Sequence, residues 1–178
     1  MKVTLKKTLF SKAAIQKKVV SLGKQITKLY KNCDNVLIVP LLEGGTIFAA
    51  DLIRSIDLPI TVKSFKVSSY HGSTKSSGKL NMDVSALPEC KDKHVIIVDD
   101  IYDTGLTLST LRNHFKVAGA KTVITCVLLN KTVTRHSSLK PDLYGFNIKN
   151  EFVVGYGLDY NEVYRNLPYV GVLDCTLE

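Results

Sequence analysis

"VIIVDDIYDTGLTLSTL", Val95 to Leu111, runs from four apolar residues into three closely spaced acids, threonines and a glycine. A short, continuous β-branched run is the pattern of a strand buried on both faces, as in a parallel sheet. A strand is therefore predicted over His94 to Val98, and a helix from about Gly105 to Val117. The residues between them carry the chemistry. Backbone N–H groups at a helix start, beside a glycine that permits close approach, cradle an anion. Thr104, Thr107 and Ser109 add hydroxyl donors. Asp99 and Asp100 repel phosphate, but they suit vicinal hydroxyls, or Mg2+ held through its waters. A sugar phosphate satisfies both halves of the stretch at once.

Three other readings fit less of it. An Asx-capped turn explains the paired acids and leaves the threonine-glycine continuation unexplained. The acid pair of a phospho-receiver domain belongs after the first strand of its domain. A dinucleotide fold or P-loop needs GxGxxG or GxxxxGK[ST], and neither is present.

Outward from this stretch, strands and helices alternate. Ile15, Val19, Leu22, Ile26 and Leu29 recur at steps of three and four, so Ser11 to Tyr30 reads as an amphipathic helix. "NVLIVP", Asn35 to Pro40, is a second buried strand; Gly44-Gly45 and the helix "TIFAADLIRSI" follow it. Ile60, Val62 and Val67 lie in an extended stretch. "YHGSTKSSGK", Tyr70 to Lys79, reads as a loop, and Leu80, Met82 and Val84 as a returning strand. A turn at Gly119-Ala120 precedes a strand over Thr122 to Leu129, and "YVGVLD" closes the chain as another. Alternation of this kind implies a mostly parallel sheet flanked by helices, with right-handed crossovers. Ligands in such sheets sit beyond the carboxyl ends of the strands. Glu43 to Gly45, Asp99 to Thr107 and Asn130 onward all fall there.

The 178 residues suit a single domain with a substantial core, and neither a repeat nor a linker interrupts them. No apolar run approaches the about 18 residues of a membrane helix, and the lysine-bearing start lacks the apolar stretch of a signal peptide. Cys33, Cys90, Cys126 and Cys175 are widely spaced and read as reduced thiols in a cytoplasmic protein. The net charge of +8 comes from scattered lysines, with no basic stripe interleaved with aromatics. A solvated basic surface and a phosphate-rich small ligand account for it better than nucleic acid or a membrane.

"VIIVDDIYDTGLT" closely resembles the phosphoribosyl-diphosphate (PRPP) loop of the type I phosphoribosyltransferases. "LLEGGTIFAADLIR" is similar to the pyrophosphate loop and following helix of the hypoxanthine-guanine members, and "SSYHGSTKSSG" to their flexible catalytic loop, here about residues 69–79. "KPDLYGFNIKNEFVVGYGLDYNEVYRNLPYVGVL" is similar to their purine-binding tail. The resemblance runs in order from about Val36 to Leu173. It implies that family's α/β fold, with a small purine-binding hood built from about residues 140–178. The implied reaction is Mg2+-dependent: a 6-oxopurine joins C1 of PRPP, releasing pyrophosphate and leaving IMP or GMP. A homo-oligomer, dimer or tetramer, is also implied.

By the same resemblance Asp99 and Asp100 hold the ribose hydroxyls and bear on Mg2+, and Asp103 accepts the proton from purine N7. Asp103, Thr104, Gly105, Leu106 and Thr107 wrap the 5′-phosphate. Leu42, Glu43, Gly44 and Gly45 offer backbone amides to pyrophosphate through a strained or cis peptide, and Arg165 meets it as well. Ser69 and Tyr70 lie on the lid. Lys140 donates to O6 of the purine, Phe152 stacks on its ring, Val153 presents backbone groups to its edge, and Asp159 holds a Mg2+ water. Two positions depart from the family. Glu43 and Glu151 stand where relatives often carry basic residues, so Glu43 is expected to turn aside and pair with a lysine or arginine. The rival readings are a transferase for another base and a nucleotide-sensing RNA-binding regulator on the same fold. A lysine donor suits a 6-oxo acceptor rather than a 6-amino group, which favours the oxopurine.

Overall fold

In the computed structural model, which describes residues 4–67, 82–132 and 140–174, the predicted central strand continues beyond Val98 as β5 (His94–Tyr102). Its parallel neighbours are β2 (Val36–Leu42) and β6 (Thr122–Lys131), with Ile38, Ile96 and Ile124 in register. The extension has a backbone cause. Because β6 is long, Asp99 still pairs with Val127 and Tyr102 with Asn130. The ladder thus holds the peptide groups of Asp99 and Asp100, which lie on the strand's end and not in a loop, while Asp103 follows the strand.

β3 (Ile60–Val62) and β7 (Leu143–Ile148) complete the order β3-β2-β5-β6-β7, all parallel, and the short β4 (Phe65–Lys66) pairs with the last residues of β2. Alternate residues of each strand face opposite sides. Ile38, Ile96, Val98, Cys126 and Leu128 pack against α1 (Lys12–Tyr30) and α2 (Thr46–Ile53). Leu37, Val39, Val95, Ile97, Val123 and Val127 pack against Leu108, Leu111 and Phe115 of α3 (Leu106–Val117). Two covered faces explain why these strands read as unbroken apolar runs. No described helix is long and apolar enough to cross a membrane.

The first helix forms where its periodicity places it. Ser11 caps it by accepting from the amide of Ala14 at 3.3 Å. Its buried stripe is Ile15, Val19, Leu22, Ile26 and Tyr30, while Leu29 is exposed, so the helix closes its core face with the tyrosine.

Three parts of the architecture differ from the sequence reading. β1 (Thr4–Phe10) precedes the first helix and pairs antiparallel with β9 (Val170–Asp174), which also pairs with β8 (Val153–Val154). The small second sheet, β1-β9-β8, therefore draws one strand from the opposite end of the chain. β7 forms over "LYGFNI", a stretch without a clear strand pattern of its own. The returning strand expected at Leu80 to Val84 is not seen in its described part: Val84–Ala86 is a 3-10 turn, capped by Asp83 accepting from the amide of Ser85, and Leu80 lies outside the described residues.

Candidate active site

The carboxyl ends of β2, β4, β5 and β6 open on one cavity of about 1030 Å³. Leu42, Glu43 and Gly44 line it from the end of β2, Lys66 and Val67 from β4, Asp99 to Gly105 with Thr107 from β5 and the start of α3, and Lys131 from β6. Glu151, Phe152, Val153, Leu158 to Glu162 and Arg165 complete the lining from the tail.

The β5 side is built as the sequence suggested. The helix start requires a left-handed residue, and Gly105 supplies it with φ +81°; a Cβ there would run into the Tyr102 hydroxyl. Thr104 Oγ1 accepts from the amide of Leu106 at 3.4 Å, and the amide of Asp100 donates to Asp99 Oδ1 at 3.0 Å. Burial raises the carboxyl pKa of both acids, Asp99 the more, because the neighbouring Asp100 charge also opposes its ionisation. The Arg165 charge draws Asp100 partly back down.

Gly44 is fitted between this acid pair and the tail. A Cβ on Gly44 would collide with Asp100 Oδ2, and a Cβ on Gly157 would collide with the Gly44 carbonyl oxygen. The Leu42–Glu43 peptide is cis. Gly45 is buried as the residue before α2 and does not line the cavity; neither does Leu106.

Charge in the cavity is unbalanced. Among the described residues its lining has three cationic side chains, Lys66, Lys131 and Arg165, against seven carboxylates: Glu43, Asp99, Asp100, Asp103, Glu151, Asp159 and Glu162. Each cation is already paired with a carboxylate of the lining. Lys66 meets Glu43 at 3.4 Å, Lys131 meets Asp103 at 3.4 Å, and Arg165 meets Asp159 at 2.9 Å while donating to the Gly157 carbonyl at 2.6 Å. Lys66 is therefore the cation beside Glu43, which lines the cavity and does not turn away from it. Glu151 turns to Lys7 of β1 at 2.8 Å. Phe152 is half-exposed, its ring edge-on to Tyr160 with centroids 5.7 Å apart, and its carbonyl accepts from the amide of Leu173.

One assignment is corrected. Lys140 is exposed and does not line the cavity. The lysine that does is Lys131, whose side chain is only 14% exposed at the end of β6. The "KPD" segment matters through its aspartate instead. Asp142 accepts two bonds from Arg112 of α3, at 3.0 and 3.1 Å, and two from Thr125 of β6, at 2.8 and 2.9 Å. A signal for Lys131 existed in the sequence: it is the first charged residue after a parallel strand, on the side where such sheets bind ligands. Ser69 and Tyr70 lie outside the described residues.

Fold and cavity define a class. The family model of the phosphoribosyl transferase domain matches residues 7–161. The protein named hypoxanthine-guanine phosphoribosyltransferase in Streptococcus pneumoniae is 46% identical over 169 residues, covering 95% of this chain and 93% of that one. Its Bacillus subtilis namesake is 42% identical over 97% of this chain and 96% of that one. A crystal structure of a hypoxanthine phosphoribosyltransferase from Staphylococcus aureus superposes with a TM-score of 0.88 at 37% identity, covering 96% of this chain and 92% of that one. The chain belongs to the hypoxanthine-guanine phosphoribosyltransferase family, with the type I phosphoribosyltransferase fold.

Proposed function

We propose that the protein is a purine-salvage enzyme that moves the 5-phosphoribosyl group of PRPP to a 6-oxopurine, giving IMP or GMP and pyrophosphate. The observation that carries this reading is the Asp103–Lys131 pair, an acceptor and a donor 3.4 Å apart on one wall of the cavity. A 6-oxopurine presents N7 and O6 side by side on one edge. Asp103 meets N7, and Lys131, in the role first given to Lys140, meets O6. Adenine would turn an amino donor toward the lysine and leave both donors unpaired, at a cost of about 1–3 kcal/mol.

The rest of the cavity fits the other substrate. Asp99 and Asp100 accept from the ribose hydroxyls, and the backbone of Asp103 to Thr107 takes the 5′-phosphate at the start of α3. Leu42 to Gly45 offer amides to the pyrophosphate, joined by Arg165 once it leaves Asp159. The C1–oxygen bond to pyrophosphate breaks, purine N9 bonds to C1, and Asp103 removes the N7 proton. A positioned base of this kind contributes about 10²- to 10⁴-fold. Val153, buried behind Phe152, presents its backbone to the purine edge, and the Phe152 ring covers its face.

Mg2+ suits the residues present. The lining has an excess of carboxylates, so a polyanion enters with counter-cations, and no described cluster gathers three or more metal-ligating side chains. An ion held by one or two carboxylates plus substrate phosphates matches that arrangement. Asp99, Asp100 and Asp159 are the residues that would hold it, and when bound it offsets the charge growing on the leaving pyrophosphate.

We assign the protein to the cytoplasm as a homo-oligomer, dimer or tetramer; the free Cys33, Cys90 and Cys126 suit a reducing compartment. The domain is a single unit, with a catalytic loop at about residues 69–79 and a hood at about 140–178 that β1 joins. The test is nucleotide formation from PRPP and Mg2+ with hypoxanthine, guanine, xanthine and adenine in turn. IMP or GMP formation is expected. Failure with every oxopurine would overturn the reading, and transfer to adenine with a matching kcat/KM would assign it to another base.

A further inference from the structure

Lys66 has no role so far, yet it is placed beside the pyrophosphate loop by backbone geometry. β4 is only Phe65–Lys66, and its ladder sets Lys66 directly opposite Leu42, the first residue of that loop. The side chain reaches along the cavity wall to Glu43 at 3.4 Å. Both partners are largely exposed, the lysine 68% and the glutamate 62%. An exposed pair at this distance is weak and exchanges readily.

Left unopposed, the Glu43 carboxylate would repel a pyrophosphate bound at the amide of Gly44. Two arrangements remove the conflict. In one, Lys66 only cancels the glutamate. In the other, it turns to the phosphate oxygens itself and lies between them and the glutamate, so that its attraction to a doubly charged anion outweighs the repulsion from Glu43. The position of Lys66 favours the second. It is fixed by the strand to the loop's own first residue, it lines the cavity, and its long, exposed side chain can swing without disturbing the core.

We infer that Lys66 is a pyrophosphate-binding residue, held ready beside the loop by Glu43 and turning to the pyrophosphate group of PRPP. This rests on the phosphoribosyl-transfer reading and adds to it a cation that the neighbouring strand, and not the loop itself, provides. Glu43 is then a positioning residue.

The test is binding of pyrophosphate and of PRPP, each with Mg2+, by calorimetry, with steady-state kinetics alongside. Lys66→Met should weaken both ligands about five- to tenfold and raise KM for PRPP equally, with KM for hypoxanthine within about twofold, as loss of one charge-assisted contact implies. Lys66→Arg should hold the affinity within about twofold, since it keeps a phosphate-binding charge. The double variant separates the two arrangements. If Lys66 contacts pyrophosphate, adding Glu43→Gln to Lys66→Met recovers only a minor part of the loss. Full recovery in the double variant would show that Lys66 merely neutralises Glu43, and unchanged affinity in Lys66→Met would show that it does nothing for the ligand; either overturns the inference. A wild-type protein that binds neither PRPP nor pyrophosphate would instead contradict the phosphoribosyl-transfer reading beneath it.

Discussion

One part of the cavity, Asp99 to Gly105 with Thr107, comes from a single stretch at the end of β5 and the start of α3, whereas the opposite part gathers Lys131, Glu151 to Val153, Leu158 to Glu162 and Arg165 from separate segments. The first is built by local rules: a buried strand delivers two acids, a left-handed glycine starts a helix, and the amides of its first turn follow. The second is built by tertiary pairing. Phe152 is held through β9, which is held by β1, and the adjacent Glu151 is tied by Lys7. A site made of consecutive residues can be read before its fold is known. A site assembled from distant strands is legible only where each contributor has its own signal.

The largest expected effect lies where the two parts meet. Asp103→Asn keeps the fold and the ability to bind PRPP but removes the proton acceptor, so kcat should fall by roughly 10²-fold or more. Single-turnover nucleotide formation with hypoxanthine measures it. A near-normal rate would mean that the β5 stretch binds substrate without doing the proton transfer.

Next in size is a change that separates scaffold from chemistry on the less legible side. Asp142→Ala leaves Arg112 and Thr125 without their shared acceptor, and the Nε of Arg112 is already buried without a partner. Stability should drop by about 1–2 kcal/mol for these partly buried bonds, with kcat within about twofold. Chemical unfolding and a rate assay on the same sample give both numbers. A catalytic defect without a stability loss would move "KPD" back among the substrate contacts.

The smallest effect concerns the acids of the contiguous stretch. Burial raises the Asp99 pKa above its unfolded value, so the folded protein binds protons more tightly there than the unfolded chain. Stability of the ligand-free protein therefore rises as pH falls from the raised value toward about 3.9, and falls as pH climbs back through that window. Asp99→Asn removes the ionisation penalty. At neutral pH it should raise Tm by about 2–4 °C, the shift about 1 kcal/mol gives a chain of this size, and flatten this part of the pH profile, while weakening PRPP. Scanning calorimetry across pH follows it. An unchanged or lower Tm would mean that Asp99 already has compensation in the ligand-free site.

The parallel sheet, its central strands and the first helix were legible because each covers itself locally: β-branched runs under two layers, and an apolar stripe with a serine cap. β1 was not, because Leu5 to Thr8 of "TLKKTLF" are exposed and the stretch becomes a strand only through β9, at the far end of the chain. The acids of β5 were placed in a loop because the length of the ladder depends on β6, which the local sequence does not reveal. Lys140 drew the purine role because it opens a motif, yet that motif works through Asp142. Lys131 has the plainer signal, a charge at the carboxyl end of a buried strand.

On the proposed function, selection of 6-oxopurines rests on Lys131, paired with Asp103 on the cavity wall. It is tested most directly by the ratio of kcat/KM for hypoxanthine to that for adenine in Lys131→Met and in Lys140→Ala. The ratio should fall by about tenfold or more in the Lys131 variant, the equivalent of about 1.4 kcal/mol, and stay within about twofold of wild type in the Lys140 variant. A ratio that survives loss of Lys131 and collapses with loss of Lys140 would contradict the account.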